Sequence, residues 1–265
     1  MITILKTGKL LLPETAIDSW RHWGGGLSGR PAILGDLGGG LSNRSFLMGT
    51  NESRMVLRLN GSDSILPGAD RHKETAIWHA ASQQGIAAPL LYVDEQDRFL
   101  VSAYISNSLP SQAPFKDVFT DQAFDLLKRC HQLEVTAPTI DYGNHIDRYW
   151  QIIETREQVS NPDLLKQRTP MQTLLNTLIN SNPPTGLCHH DPVVANFVGN
   201  PERLYLIDWE YAAHGMLVMD YAALAIEWQI DDSTVLAKTG IEQASLNTAK
   251  KIYRYLCKLW KEISS

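Results

Sequence analysis

Residues 187–197 read LCHHDPVVANF, and this stretch decides which fold the sequence encodes. Two histidines, an aspartate and, five positions later, an asparagine stand between apolar neighbours. A second polar group follows in LYLIDWE at 204–210, where Asp208 ends an apolar run and Glu210 comes two positions later. Polar residues in this pattern can bind a metal, form a catalytic loop or cap a turn.

Metal binding and turn capping explain less of the pattern than a catalytic loop does. Neighbouring side chains in extended chain point in opposite directions, so His189 and His190 would rarely bind one ion. No further histidine pair completes a zinc set. Turn capping accounts for HHDP, because Asp-Pro readily begins a turn, but it leaves Asn196 and LIDWE unexplained. A catalytic loop accounts for all of them.

Phosphoryl transfer needs side chains of these types. A carboxylate orients the attacking hydroxyl group and accepts its proton, while amide and carboxylate oxygens hold magnesium against the phosphates. Magnesium prefers oxygen ligands and keeps several waters, so one Asn and one Asp suffice. The pattern indicates Asp191 as the proton acceptor, and Asn196 and Asp208 as catalytic magnesium ligands that Glu210 assists.

The motif H-x-D-x-x-x-x-N followed by I-D-W-E resembles the catalytic core of the aminoglycoside phosphotransferase and choline kinase families, small-molecule relatives of protein kinases. The resemblance implies an α+β, two-lobed, protein-kinase-like fold with a small β-sheet N-lobe and a mostly helical C-lobe. It also implies ATP and Mg²⁺ as cofactors. His189 and Asp220 match positions that brace the catalytic loop, and His190 occupies a variable position that faces the site or solvent.

The N-terminal half offers candidates for nucleotide binding. The glycine-rich stretch GGGLSNRS at 38–45 precedes a predicted hairpin, where backbone N–H groups can approach phosphate oxygens. Arg58 stands where many kinases have lysine, and Glu74 is its expected partner. The backbone at the end of RFLVSAYI is expected to contact adenine. The predicted nucleotide-binding residues are Gly39, Gly40, Ser42, Asn43, Arg58, Glu74, Tyr104 and Ile105.

Hydrophobic periodicity predicts the order of elements. Two hairpins and one helix are expected before residue 106, and mostly helices with short strands around 187–208 are expected after it. We therefore predict a nucleotide-binding lobe at 1–106, with the sheet and its helix at 35–106, and a catalytic and substrate lobe at 107–265. The predicted helices lie at 71–85, 121–133, 146–159, 171–180, 219–230 and 247–263.

The residues around and after Asp208 indicate which substrate accepts the phosphoryl group. Its run IDWEYAAHGMLVMDYAALAIEW at 207–228 resembles that of choline kinases, which implies that Tyr211, Glu227 and Trp228 line the substrate pocket. A quaternary ammonium donates no N–H hydrogen bond, so aromatic faces and a carboxylate hold it. A small cationic alcohol, with choline or ethanolamine favoured, is the expected substrate.

Other acceptors and another class of function stay open. Thiamine kinase-like proteins carry a GLS-x-x-S-F-L loop and IDWEYA, and this chain has both, as GLSNRSFL and IDWEYA. Aminoglycosides, which would need a cleft with many carboxylates, are the other alternative acceptors. The aromatic residues of the last helix, Tyr253, Tyr255 and Trp260, either complete a cage or belong to the core. A non-catalytic relative that binds a ligand or a partner protein is the alternative of another class.

Composition narrows the remaining choices. The net charge is −5 without charge runs, which disfavours a nucleic-acid partner. The three cysteines are widely spaced, and no stretch approaches the roughly 18 apolar residues of a membrane span. We expect a cytoplasmic enzyme with a small-molecule partner and no membrane association. The oligomeric state does not follow from the sequence.

Overall fold

A computed structural model describes residues 11–38, 43–61, 71–107, 109, 117–155 and 163–264. The chain forms two compact units. The first contains residues 1–66 and 88–105, and the second contains residues 67–87 and 106–265. The first unit is built on a β-sheet and the second is mostly helical, which confirms the predicted α+β class.

The first unit holds a five-stranded antiparallel sheet with the strand order β1-β2-β3-β5-β4. Both predicted hairpins are present, as the pairs β2–β3 and β4–β5. β1 was not predicted, because its two glycines and mostly exposed side chains give it no alternating pattern. The strands are β1 Ala32–Gly38, β2 Asn43–Gly49, β3 Arg54–Asn60, β4 Leu90–Val93 and β5 Phe99–Ala103.

The segment before the sheet contributes to the core of the first unit. Helix α1, Pro13–Ile17, and the residues after it bury Ala16, Ile17 and Trp23 against Phe46 and other apolar side chains of β2, β3 and β5. Burial of apolar surface of this kind is the main source of folding free energy. No pattern in the sequence indicated this role for the residues before 35.

The second unit consists of seven helices and two small antiparallel ribbons among its described residues, β6–β9 and β7–β8. The six predicted helices are present, whereas β9 and α7 were not predicted. The elements are α2 Arg71–Gln83, α3 Asp117–His131, α4 Tyr142–Glu154, α5 Asp163–Asn180, β6 Thr185–Cys188, β7 Phe197–Asn200, β8 Arg203–Leu206, β9 Ala213–Met216, α6 Leu217–Glu227, α7 Asp232–Thr239 and α8 Gln243–Ser264. No helix in the described part of the chain is long and apolar enough to span a membrane.

The position of α2 differs from the prediction, which placed this helix in the N-terminal lobe. α2 groups with the second unit. The residues that follow it explain the difference, because the Leu206 N–H donates to the Ile86 carbonyl at 2.8 Å and the Arg203 guanidinium donates to the Gly85 carbonyl at 3.4 Å. These bonds attach the end of the helix to β8.

A buried carboxylate connects three elements of the second unit. Asp220 lies in the apolar helix α6 and is 0% exposed. Its Oδ1 accepts the His190 N–H at 2.8 Å, and its Oδ2 accepts the His189 N–H at 2.8 Å and bonds His131 Nε2 at 3.0 Å. Burial acts to raise the pKa of Asp220, but the His131 hydrogen bond and the nearby imidazoles lower it to about 2.

We predict that Asp220→Asn lowers the free energy of unfolding by about 3 kcal/mol at neutral pH, measured by urea denaturation. Both carboxylate oxygens accept backbone N–H groups, whereas asparagine offers one oxygen and presents a donor to the other N–H. The exposed Asp163→Asn is the control and should change stability by less than about 1 kcal/mol.

The same pair of variants has a pH signature. The folded-state pKa of Asp220 is depressed, so its contribution is complete above the unfolded pKa of about 3.9 and is lost as the pH falls towards about 2. The stability difference between the wild type and Asp220→Asn should therefore shrink across that window. Equal stability of the two proteins at pH 7 would contradict the assignment.

Candidate active site

The loop after β6 carries the histidine–aspartate motif. His189 is fully buried, and its Nε2–H donates to the Ile207 carbonyl at 3.1 Å. The His189 ring also packs edge-on against Trp209 at 4.9 Å between centroids. These contacts join the loop to the residues on both sides of Asp208. They place His189 between the two polar segments that the sequence singled out.

Asp191 and Asn196 lie next to each other. A 3₁₀ turn at Val194–Asn196 brings the Asn196 side chain back, so that its Nδ2 donates to Asp191 Oδ2 at 2.8 Å and to the Asp191 carbonyl at 2.9 Å. The Ile207 N–H donates to the Asn196 carbonyl at 3.0 Å. Because Asn196 follows Asp191 by five residues, its side-chain amide can bond the Asp191 carboxylate and orient it.

Asp191 is a half-buried carboxylate whose pKa is raised. Burial raises its pKa, and the negative charges of Asp208 and Glu227 act in the same direction, while His189 and the Asn196 hydrogen bond oppose them. A carboxylate with a raised pKa accepts a proton more readily than an exposed one. The pKa of Asp191 therefore responds to the charges of Asp208 and Glu227.

Asp208 follows β8 in a strained backbone conformation. Its φ is 65°, in the left-handed region that residues other than glycine seldom adopt. Strain of this kind persists where the surroundings impose it, and it is frequent at functional sites. The next residue, Trp209, is fully buried, and Glu210 after it is half-buried.

The donor set of this region suits a hard divalent cation. Asn196 uses its Nδ2 for both hydrogen bonds, and its Oδ1 bonds no residue in the described part of the chain. This amide oxygen and the carboxylates of Asp208 and Glu210 are all oxygen ligands, which is what magnesium prefers. The three predicted metal ligands therefore fit magnesium by their chemistry.

Glu227 lies at the end of α6 among tyrosines. Tyr253 of α8 donates its hydroxyl to Glu227 Oε1 at 2.9 Å. Burial raises the pKa of both Tyr149 and Tyr211, and the Asp191 charge adds to the increase in each case. Tyr211 and Glu227, two of the predicted substrate residues, thus both interact electrostatically with Asp191.

Sequence reasoning missed two members of this group. Tyr149 of α4 lies far from the motif in sequence, and Cys257 follows Tyr253 by one helical turn. The Cys257 side chain is partly exposed, and its partial desolvation raises the pKa of the thiol to about 11, with a further contribution from Glu227 and Asp191 that the Tyr253 hydrogen bond opposes. The helical spacing of Tyr142, His145 and Tyr149 was the available signal, because it forms a polar aromatic stripe on one helix face.

The other predicted aromatic residues lie elsewhere. Trp228 is 2% exposed and packs edge-on against Phe197 at 4.8 Å, which places its ring in the core. Tyr255 is also in the core, where its hydroxyl accepts the Trp150 Nε1–H at 2.9 Å. Trp260 is exposed. Of the three aromatic residues of the last helix, Tyr253 alone contacts a predicted substrate residue.

The predicted nucleotide-binding residues divide between the two units. Arg58 is in β3 and 6% exposed, whereas Glu74 is in α2 of the second unit and 2% exposed. Their pairing stays a prediction. Asn43 is the first residue of β2 rather than part of a loop, and the predicted Gly39, Gly40 and Ser42 lie outside the described residues.

The backbone N–H groups at the end of β5 differ in their hydrogen bonding. The Ala103 and Tyr104 N–H groups already donate to the carbonyls of Pro89 and Arg54, at 2.8 and 3.3 Å. The Ile105 N–H bonds no residue within the described ranges. Of the two residues predicted here, Ile105 is therefore the better donor, and Tyr104 is left with its carbonyl.

Comparison with solved structures identifies the fold. The choline kinase LicA from Streptococcus pneumoniae matches with a TM-score of 0.74 at 22% identity, over 88% of this chain and 86% of that chain. A choline/ethanolamine kinase family protein from Mesorhizobium loti matches with a TM-score of 0.66 at 22% identity, over 94% and 81%. Spectinomycin phosphotransferase APH(9)-Ia, solved with ADP and spectinomycin, matches with a TM-score of 0.61 at 13% identity, over 95% and 89%.

These likenesses confirm the kinase-like fold that the motif implied. No curated protein matches the sequence. The model of the phosphotransferase enzyme family (APH) matches residues 34–255, which include the sheet, the histidine–aspartate loop, Asp208, Glu227 and most of α8. Because this match spans most of the chain, the protein belongs to the APH phosphotransferase family.

Proposed function

We propose that the protein transfers the γ-phosphoryl group of ATP to the hydroxyl group of a small alcohol that carries one positive charge, with choline or ethanolamine favoured. The observation that carries this proposal is the Glu227 carboxylate, held by Tyr253 and lying within electrostatic range of Asp191. A cation bound at Glu227 would present a hydroxyl group to the base. Family membership supports the reaction type.

ATP is the proposed phosphoryl donor. Relatives of the same fold have been solved with AMP and with ADP, which supports a nucleotide cofactor. Arg58 is a buried cation suited to phosphate oxygens, and the Ile105 N–H is proposed to bond adenine. The glycine-rich sequence at 38–45 is proposed to supply backbone donors to the phosphates. Magnesium, held by Asn196, Asp208 and Glu210, would neutralise charge on the phosphates.

Asp191 is proposed to act on the acceptor. Its carboxylate accepts a hydrogen bond from the acceptor hydroxyl and aligns that oxygen with the γ-phosphorus. As the new oxygen–phosphorus bond forms and the bond to ADP breaks, the hydroxyl proton passes to Asp191. The products are the phosphate monoester, ADP and a proton. Asn196 keeps the carboxylate oriented through its two hydrogen bonds.

The charge of the pocket favours a single cation. Besides the proposed metal ligand Asp208, the Glu227 carboxylate raises the pKa of Asp191. Tyr149, Tyr211 and Tyr253 are neutral phenols whose pKa burial raises, and their faces suit an ammonium group. Aminoglycosides carry several ammonium groups and would need more carboxylates. The choline and ethanolamine kinases among the structural relatives support the smaller acceptor.

Asp191→Ala should lower turnover by about a thousandfold, because general base catalysis is typically worth 10²–10⁴. Its affinity for MgATP, measured by titration calorimetry, should match that of the wild type. Asp208→Ala is the contrasting variant and should weaken MgATP binding itself. Full turnover by Asp191→Ala, or unchanged MgATP affinity in Asp208→Ala, would refute the assigned role. A wild type that does not bind MgATP at all would favour the non-catalytic alternative.

Glu227→Gln should reduce the preference for a charged over an uncharged acceptor by about tenfold or more. The reason is that a carboxylate in a half-buried site stabilises a nearby cation by up to several kcal/mol. The measurement compares kcat/KM for choline with that for the uncharged alcohol in which carbon replaces the nitrogen. The KM for ATP should stay within about twofold of the wild-type value, because Glu227 is assigned to the acceptor.

Glu242→Gln provides a matched control, because it makes the same change of charge at an exposed residue outside the Glu227–tyrosine group. It should keep the wild-type preference for choline. If Glu227→Gln discriminates between the two alcohols as well as the wild type does, the cation is bound elsewhere.

A further inference from the structure

A tyrosine–histidine pair lies directly before the proposed base. The Tyr142 hydroxyl and His190 Nε2 are 2.9 Å apart, and the same hydroxyl accepts the Met216 N–H at 3.1 Å. Because Tyr142 is buried, its own proton needs an acceptor, and His190 Nε2 is the neighbour available among the described residues. The donors and acceptors therefore indicate a neutral His190 that accepts a hydrogen bond from Tyr142.

The surrounding backbone fixes the position of Tyr142. The Ile140 N–H donates to the His214 carbonyl at 2.9 Å, and the His214 N–H donates to the Pro138 carbonyl at 2.7 Å. Asp141 then caps α4 by accepting the Asn144 N–H at 2.9 Å. The phenol is thus anchored to β9 and to the first turn of a helix.

Gly215 makes room for the pair. A Cβ atom at this position would lie 2.5 Å from the Tyr142 hydroxyl and 2.7 Å from His190 Nε2. Any other residue would displace one of the two side chains, because both distances are below van der Waals contact. The close approach of β9 to the pair is therefore a second feature, independent of the hydrogen bonds.

The backbone of His190 explains why it needs support. Its φ is 65°, a left-handed conformation that costs a non-glycine residue free energy. The residue is held at its N–H by Asp220 and at its ring by Tyr142. The next residue is Asp191, so the direction of the proposed base depends on this conformation. Burial also lowers the pKa of His190, in keeping with a neutral ring.

We propose that Tyr142 and His190, which lie over Gly215, form a positioning pair that orients the Asp191 carboxylate towards the hydroxyl group of the acceptor. This inference rests on the proposed function, because it assigns the pair to the base of that reaction. The pair acts through Asp191 and touches neither nucleotide nor phosphate. It requires a neutral His190 and the hydroxyl of Tyr142.

Tyr142→Phe tests the pair in the full-length protein. Removing the hydroxyl should lower kcat about tenfold to thirtyfold, as expected for one lost buried hydrogen bond, while both KM values stay within about twofold. Tyr205→Phe is the matched control, since the Tyr205 ring packs under Arg203 in β8, away from the site. Unchanged kcat in Tyr142→Phe, or a rise in KM alone, would overturn the proposal.

Two further variants separate positioning from loss of stability. His190→Asn keeps a residue type that tolerates positive φ, and the double variant with Tyr142→Phe should be no slower than the slower single variant. Gly215→Ala should also lower kcat, whereas Gly29→Ala, whose Cβ meets no atom within 4 Å, should not. Multiplicative losses in the double variant would contradict a shared role.

The position of the Asp191 carboxylate can also be measured by NMR, which does not require that the wild type phosphorylates an acceptor. The side-chain amide of Asn196 donates to Asp191, so its NMR resonance reports the carboxylate position. It should shift in Tyr142→Phe and not in Tyr205→Phe. An inactive wild type with this shift refutes the proposed function but supports the positioning pair. An unshifted resonance refutes the pair.

Discussion

The carboxylate of Asp220, which has no exposed surface, accepts the N–H groups of His189 and His190 and bonds the imidazole of His131. A buried charge is tolerated only when its oxygens are bonded, and a loop is held most firmly through its backbone. This single group therefore connects α3, α6 and the end of β6. The direction in which the chain leaves β6, and so the place of Asp191, follows from it.

The other polar residues of the site are connected to the loop that Asp220 holds. His189 connects it to Ile207 and Trp209, on both sides of Asp208. Within the loop, Asn196 donates a hydrogen bond to Asp191. Tyr142 of α4 bonds the ring of His190. Two residues in this region, His190 and Asp208, adopt the left-handed conformation, so the surrounding contacts hold the backbone against its own preference. A rigid arrangement of carboxylates is what phosphoryl transfer requires of a protein.

Much of this could be predicted because the signals are local. The loop motif and Asp208 lie within twenty residues of each other, and the spacing of their polar residues predicted the family. The helices of the second unit follow from their periodicity. α7 also carries local signals that we did not use, since Asp231 caps it by accepting the Thr234 N–H and Gly240 ends it with a φ of 70°.

What could not be predicted depends on packing between distant segments. Tyr149 of α4 lies some forty residues from Asp191 in sequence, yet the Asp191 charge contributes to its raised pKa. Trp228 was expected beside Glu227, yet successive residues of a helix point about 100° apart, and its ring turns into the core against Phe197. α2 joins the second unit through backbone bonds to β8 that no sequence pattern indicates.

The most direct test of the account is phosphorus NMR of the purified wild type with MgATP and one acceptor at a time: choline, ethanolamine, thiamine, an aminoglycoside and a neutral sugar. The account predicts a new phosphate monoester, with ADP formed in equal amount, for choline or ethanolamine. A phosphate ester of the aminoglycoside or the sugar, without one of choline or ethanolamine, would contradict the assignment of Glu227 to a single cation.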